Sequence, residues 1–128
     1  MNKLIFLVTF ASLFGCTSIQ TSHEGADQVP ASRIYSNSKR SDAQLIMLLE
    51  PRLEGFCKVR FLIDGRRAAD FHPGEISYFG ATFGTHFLEV QPVANCTNFK
   101  PSSTTINMKS GDALQMVITP SAMESVSL

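Results

Sequence analysis

Between residues 57 and 63 apolar and polar side chains alternate. Cys57, Val59, Phe61 and Ile63 fall on one side, Lys58 and Arg60 on the other. A period of two belongs to a strand with one face buried. Asp64-Gly65 follows, a two-residue hairpin signal, so the chain is predicted to return through residues 66–71. Pro73-Gly74 predicts the next turn. Ile76 and Tyr78 then share a face, as do His86, Leu88 and Val90, with Gly80 and Gly84 punctuating the loop between them. Residues 104–108 and 113–119 complete the series around Gly111-Asp112, with Leu114, Met116 and Ile118 pointing one way. Short alternating runs at this spacing predict an all-β fold, a small antiparallel β-sandwich of about seven or eight strands. Residues 33–120 suffice for one two-layer core, and 121–128 read as a C-terminal tail.

One segment reads two ways. Ser41-Asp42-Ala43-Gln44 could open a short helix over 42–50 that stops before Pro51. The apolar run 45–49 equally suits a strand buried on both faces. A strand is favoured, because a lone two-turn helix is marginal without packing.

The N-terminus has a different pattern. A positive start, Asn2-Lys3, precedes an apolar run over 4–14 broken only by Thr9 and Ser12. This is the layout of a secretory signal. The run is short of the roughly 20 residues that a spanning helix needs. Leu13-Phe14-Gly15-Cys16 resembles the lipobox of bacterial lipoproteins, with Phe14 bulkier than is usual there. The resemblance implies that residues 1–15 are cleaved and that Cys16 becomes a lipidated first residue. Thr17 after the cysteine, in place of aspartate, implies an outer-membrane destination facing the periplasm. Two or more acyl chains suffice for stable attachment, at about 0.8 kcal/mol per buried methylene. Residues 17–32 are small and polar, too poor in apolar surface to fold, and complete a tether over 16–32.

Three cysteines fit an exported protein. With Cys16 lipidated, Cys57 and Cys96 remain, the even count expected of one bridge in an oxidising compartment. A metal site or a reactive thiol are the alternatives, and neither cysteine sits in a C-x-x-C pair. Charge narrows the partners further. Eleven Lys+Arg balance eleven Asp+Glu, which does not describe a nucleic-acid surface or a field that steers a charged ligand.

Residues 59–90 are similar to PEGA-type domains and to small bacterial lipoprotein domains. The matching positions are Asp64-Gly65, Gly74, and Gly84-Thr85-His86 followed by residues 87–90; Phe83-Gly84-Thr85-His86 departs from the usual Pro-Gly-Lys/Arg-His step. The resemblance covers about a third of the mature chain and is a pattern of turns more than of chemistry. It implies a compact, non-enzymatic β-sandwich that binds envelope partners.

Candidate chemistry is sparse. His23 lies in the tether, while His72 and His86 with Asp70 match no standard metal spacing. No G-x-S-x-G or phosphate-cradling glycine loop is present. Asp64/Asp70 and Glu50/Glu54 read as turn and surface carboxylates, Arg66-Arg67 and Lys39-Arg40 as solvated turn charges. No catalytic residue, metal, cofactor or small-molecule substrate is indicated. Aromatics are denser, with Phe71, Tyr78, Phe79, Phe83 and Phe87 close in sequence. If Ile76 and Tyr78 face inward, Phe79 and Phe87 face outward, and Leu62 and Val117 also land on outward faces. Leu62, Phe79, Phe83 and Phe87 are thus the candidate partner patch, unless a second layer such as 44–49 covers them. The expectation is a lipid-anchored envelope lipoprotein whose sandwich binds a protein partner, as an accessory or assembly component. An inhibitor or immunity lipoprotein is the alternative, followed by a cell-wall hydrolase.

Overall fold

The computed structural model describes residues 26–36, 42–52, 57–94 and 96–126. Its strands in chain order are β1 (Asp27–Gln28), β2 (Ala43–Leu49), β3 (Lys58–Ile63), β4 (Arg66–Phe71), β5 (Glu75–Ala81), β6 (Gly84–Ala94), β7 (Ser102–Met108), β8 (Ala113–Ile118) and β9 (Met123–Val126). One sheet has the order β1-β5-β2-β8-β9, the other β4-β3-β6-β7. The protein is an all-β sandwich. Among the described residues the only helical turn is a 3-10 turn, Ala31–Arg33.

The alternation at 57–63 builds β3 as expected. Val59 and Phe61 are fully buried, while Lys58 and Arg60 lie on the outer side. The β3–β4 hairpin turns at Asp64 and Gly65, both at positive φ (52° and 76°). A two-residue hairpin needs that conformation to match strand twist, and Asp and Gly tolerate it. The ambiguous run at 43–49 is a strand. It pairs antiparallel with β5 and parallel with β8, at the centre of the five-stranded sheet. Leu45, Met47 and Leu49 face the core, and Ile46 is buried on the other side. A central strand covered on both sides has a nearly continuous apolar sequence, which is why its periodicity is silent.

The core lies between the sheets. Phe61 meets Phe71 edge-on at 6.3 Å and Phe79 at 5.3 Å between ring centroids. Leu88, Val90, Met116 and Ile118 close around them. Cys57 and Cys96 are disulfide-bonded, with Cα atoms 4.5 Å apart. The bond ties the residue before β3 to the loop after β6.

Two expectations are corrected here. Phe79 does not face outward; it is fully buried opposite Leu45, and Ser77 points inward with it. Ile76 and Tyr78 take the other side of β5. That strand carries apolar side chains on both faces, and Ile76 is buried on the outer one. Alternation shows which residues share a side but not which side holds the core. The domain also exceeds 33–120. Asp27–Gln28 pairs with β5, and Met123–Val126 with β8, so part of the expected tether and tail is sheet. The expected signal (1–15), Cys16, residues 17–25, Lys39-Arg40 and Glu54 lie outside the described residues.

Candidate functional site

The outer side of the four-stranded sheet collects most of the exposed chemistry. Alternation along β3 sends Lys58, Arg60 and Leu62 outward. Register sets Arg60 between Asp70 on β4 and Gln91 on β6, and Leu62 between Arg67 and Glu89. A register shift between Phe61 and Leu62 aims Arg67 back along its strand toward Asp70.

Asp70 has no solvent exposure although it stands on the outer side. Cations cover it. Arg67 Nη2 donates to Oδ2 at 2.5 Å, Arg60 Nε to Oδ1 at 3.1 Å, and Lys58 Nζ stands 3.6 Å from Oδ2. Burial pushes the carboxyl up, but hydrogen bonds from Arg67 and Arg60 outweigh it and hold Asp70 below the usual carboxylate range. A buried carboxylate among cations stays ionised for this reason.

Tyr35 completes the cluster. The Arg67 guanidinium lies 3.8 Å from the Tyr35 ring centroid and donates to the Tyr35 hydroxyl at 3.0 Å. This cation–π stack is fixed at both ends. Tyr35 N–H donates to Ala68 O at 2.8 Å, and Ile34 bridges to Ala69. Just upstream, Arg33 grips the Glu75 carboxylate with two nitrogens and donates to Asp70 O at 3.1 Å. Glu75 also accepts the His72 N–H at 2.7 Å. The segment after the 3-10 turn is thereby strapped along the edge of β4, with Tyr35 46% exposed.

Phe87 lies further along the same outer side, 43% exposed. Asp64 sits across from it, accepting the Phe87 N–H at 2.8 Å and donating its own N–H to Phe87 O at 2.8 Å. Since Leu62 opposes Glu89, Phe87 is the diagonal neighbour of Leu62, within reach of an aromatic ring. Of the expected patch, Leu62 and Phe87 therefore share this face. Phe83 is exposed in the β5–β6 turn, and Phe79 is in the core. Val117, half-buried, is on the outer side of the other sheet.

Sequence reasoning missed Asp70, Arg60, Arg67 and Tyr35 as a unit. Asp70 read as a surface carboxylate and Arg67 as a turn charge. One local signal was present: an aspartate in the strand Ala68-Ala69-Asp70-Phe71, which is otherwise apolar and would hold a charge only against partners.

A second polar group sits at the hairpin end. His86 Nδ1 is 2.7 Å from Asp64 Oδ2, and Nε2 is 2.8 Å from Thr82 O and 3.4 Å from Thr82 Oγ1. Acid, imidazole and hydroxyl in that order resemble an acyl-transfer relay, but the hydrogen bonds oppose it. Both the carboxylate and the carbonyl accept, so both ring nitrogens donate. No lone pair is left to take the hydroxyl proton. The hydrogen bonds to Asp64 and then to Thr82 O raise the His86 pKa above its ordinary value, against the effect of burial. His86 pins the hairpin to the β5–β6 turn through Asp64 and Thr82.

A cavity of about 470 Å³ opens beside this end, lined by Ser36, Ile63, Asp64, Arg66 and Gly80. Among the described residues no group of three His, Cys, Asp or Glu side chains could hold a metal ion, and no helix is long and apolar enough to cross a membrane. No protein-family model matches the chain, and no curated protein is detectably similar to it.

Proposed function

We propose that this chain is an envelope lipoprotein, anchored through Cys16 at the outer membrane, whose sandwich acts without catalysis by docking a protein partner on the outer side of β3, β4 and β6. One observation carries the reading: Arg67 and Tyr35 are stacked and exposed, held in place by a buried carboxylate, on the face where Phe87 stands beside Leu62. Tyr and Arg are enriched among residues that dominate binding energy. A side chain already fixed in one conformation loses less entropy when a partner arrives, about 0.5–1.5 kcal/mol less per immobilised side chain. The patch is chemically mixed, with Lys58, Arg60 and Arg67 in excess over Asp70 and Glu89. A partner surface with an apolar pocket and carboxylates at its rim fits that composition.

A photo-crosslinking residue in place of Phe87, in the full chain in cell envelopes, tests the reading. The expected result is one discrete adduct that weakens on combining Tyr35→Ala with Arg67→Ala, and that is not formed from exposed Arg52. Equal labelling from positions 52 and 87, or an adduct indifferent to the Tyr35 and Arg67 changes, would refute this face as the docking site.

A further inference from the structure

The β5–β6 turn hangs on one side chain. β5 ends at Ala81 and β6 begins at Gly84, so the chain passes from one sheet to the other through Thr82 and Phe83 alone. Both are exposed, Phe83 by 54%. Among the described residues the hydrogen bonds made to this turn are those of His86, whose Nε2 is 2.8 Å from Thr82 O and 3.4 Å from Thr82 Oγ1. The Thr82 carbonyl lies in the peptide plane that leads into Phe83, so turning it turns the Phe83 backbone. Gly84, at φ 98° with open space where a Cβ would stand, is a hinge that absorbs such a rotation. The contacts of the ring suit its charged form. Asp64 Oδ2 faces Nδ1 at 2.7 Å and Thr82 O faces Nε2, and either neutral tautomer turns a lone pair on one of these oxygens. The two ends differ in what else is within reach. At Nδ1 the carboxylate has no proton to offer, and it is also fixed by the Phe87 N–H at 2.8 Å. At Nε2 stands the Thr82 hydroxyl, which donates as well as accepts. The proton that leaves is therefore the one on Nε2, and it goes to water at the turn.

We propose that His86 and Thr82 form a pH-operated latch on the β5–β6 turn. With Nε2 protonated, the ring holds the Thr82 carbonyl; with Nε2 bare, it accepts from the Thr82 hydroxyl instead, the carbonyl is released and Phe83 moves. Nδ1 stays on Asp64 in both states, so Phe87 keeps its place. The surroundings of the ring are simple. Asp64, on the β3–β4 hairpin, is the charged side chain that acts on it among the described residues, and Arg66 lines the cavity beside Asp64. The cross-strand partner on β7 is Ile106, and Ala43, Ala81, Met108 and Leu114 gather at the same end of the sandwich, all uncharged. The hydrogen bonds to Asp64 and then to Thr82 O raise the pKa of the ring, which puts the changeover above the ordinary 6.5.

Fluorophenylalanine at position 83 or 87, read by fluorine NMR against pH in purified full-length protein in detergent, tests the latch beside the ring-proton titration of His86. The expected Phe83 signal follows the His86 midpoint and moves further than the Phe87 signal. Phe87 is next to His86 in sequence and so reports the change of charge without the motion. Thr82→Ala removes the hydroxyl that receives the neutral ring, which destabilises the neutral form. The midpoint should rise by about half to one pH unit, and Thr82→Ser should restore it. His86→Gln should abolish the Phe83 titration. A Phe83 signal that moves no further than that of Phe87 overturns the proposal. So does one that titrates unchanged in His86→Gln, a midpoint unchanged or lowered in Thr82→Ala, or a shift that serine does not reverse. The latch does not rest on the docking face, and none of these outcomes bears on that reading.

Discussion

Replacing Asp70 by asparagine keeps the shape of the side chain, removes its charge and turns one of its two acceptor oxygens into a donor. In the folded protein that charge is fully buried and lies within 4 Å of Arg60, Arg67 and Lys58. Without it three cations confront one another; the amide oxygen can still accept from one arginine, but the amide NH2 takes the place of the second acceptor and meets the other arginine donor to donor. Removing one partner of a buried ion pair costs about 3–5 kcal/mol when the survivor stays buried. Here the survivors can turn to water, since their side chains are 30–39% exposed. Discounting for that gives a loss of about 2–3 kcal/mol.

Urea denaturation with the disulfide intact reads the loss. For a domain of this size m is about 1–1.5 kcal/mol/M, so the midpoint should fall by about 2 M at unchanged m. The comparison is Glu50→Gln, which removes a pair with Arg52 at 3.9 Å in which the arginine is 90% exposed. Such pairs contribute about 0–1 kcal/mol, and the midpoint should move by less than about 0.5 M. Asp70→Asn behaving like Glu50→Gln would refute the reasoning: the cations would then be held by solvent and the backbone, not by the carboxylate.

Two further outcomes follow from the same geometry. His86 has a raised pKa, so its contribution to stability is fully present below the ordinary value of 6.5 and is lost as pH rises through the folded value. Asp64 and Asp70 have lowered values, so theirs is present above 3.8 and lost as pH falls through the folded values. The urea midpoint should be highest between 3.8 and 6.5, and His86→Gln should flatten the alkaline limb and weaken the part of the acid limb that Asp64 owes to His86; an unchanged alkaline limb would remove His86 as its origin. Reducing the Cys57–Cys96 bridge reopens a loop closed across 39 positions, a loss of about 4 kcal/mol on the chain-entropy account. Calorimetry of the oxidised protein against Cys57→Ser/Cys96→Ser would measure it, and near-identical melting would contradict the bridge as a stabilising link.

The sequence shows the hairpin at Asp64-Gly65 and the shared faces of β3, β6 and β8, because these depend on turn chemistry and a period of two within a few residues. The inner and outer sides of β5 stay hidden. Ile76 and Tyr78 on one side and Phe79 and Ala81 on the other are both apolar, and which side meets Phe61 depends on strand order. The Asp70 cluster is hidden for a related reason. Its members come from residues 35, 58, 60, 67 and 70, and Asp70 alone looks like any surface carboxylate. Only the segment strapped along β4 brings Tyr35 to it, and that segment carries almost no periodic signal. This non-locality separates two roles within the cluster. Asp70 lies beneath its cations and acts on a partner only through them, whereas Tyr35 is exposed and its hydroxyl is 3.5 Å from the carboxylate, at the limit of a hydrogen bond. Changing Asp70 therefore loosens the fold and the docking face together. Tyr35→Ala removes the ring that Arg67 rests on and leaves Arg67, Arg60 and Lys58 around Asp70. A loss of partner binding with little loss of stability in Tyr35→Ala would place the function on the face rather than in the cluster's support of the fold.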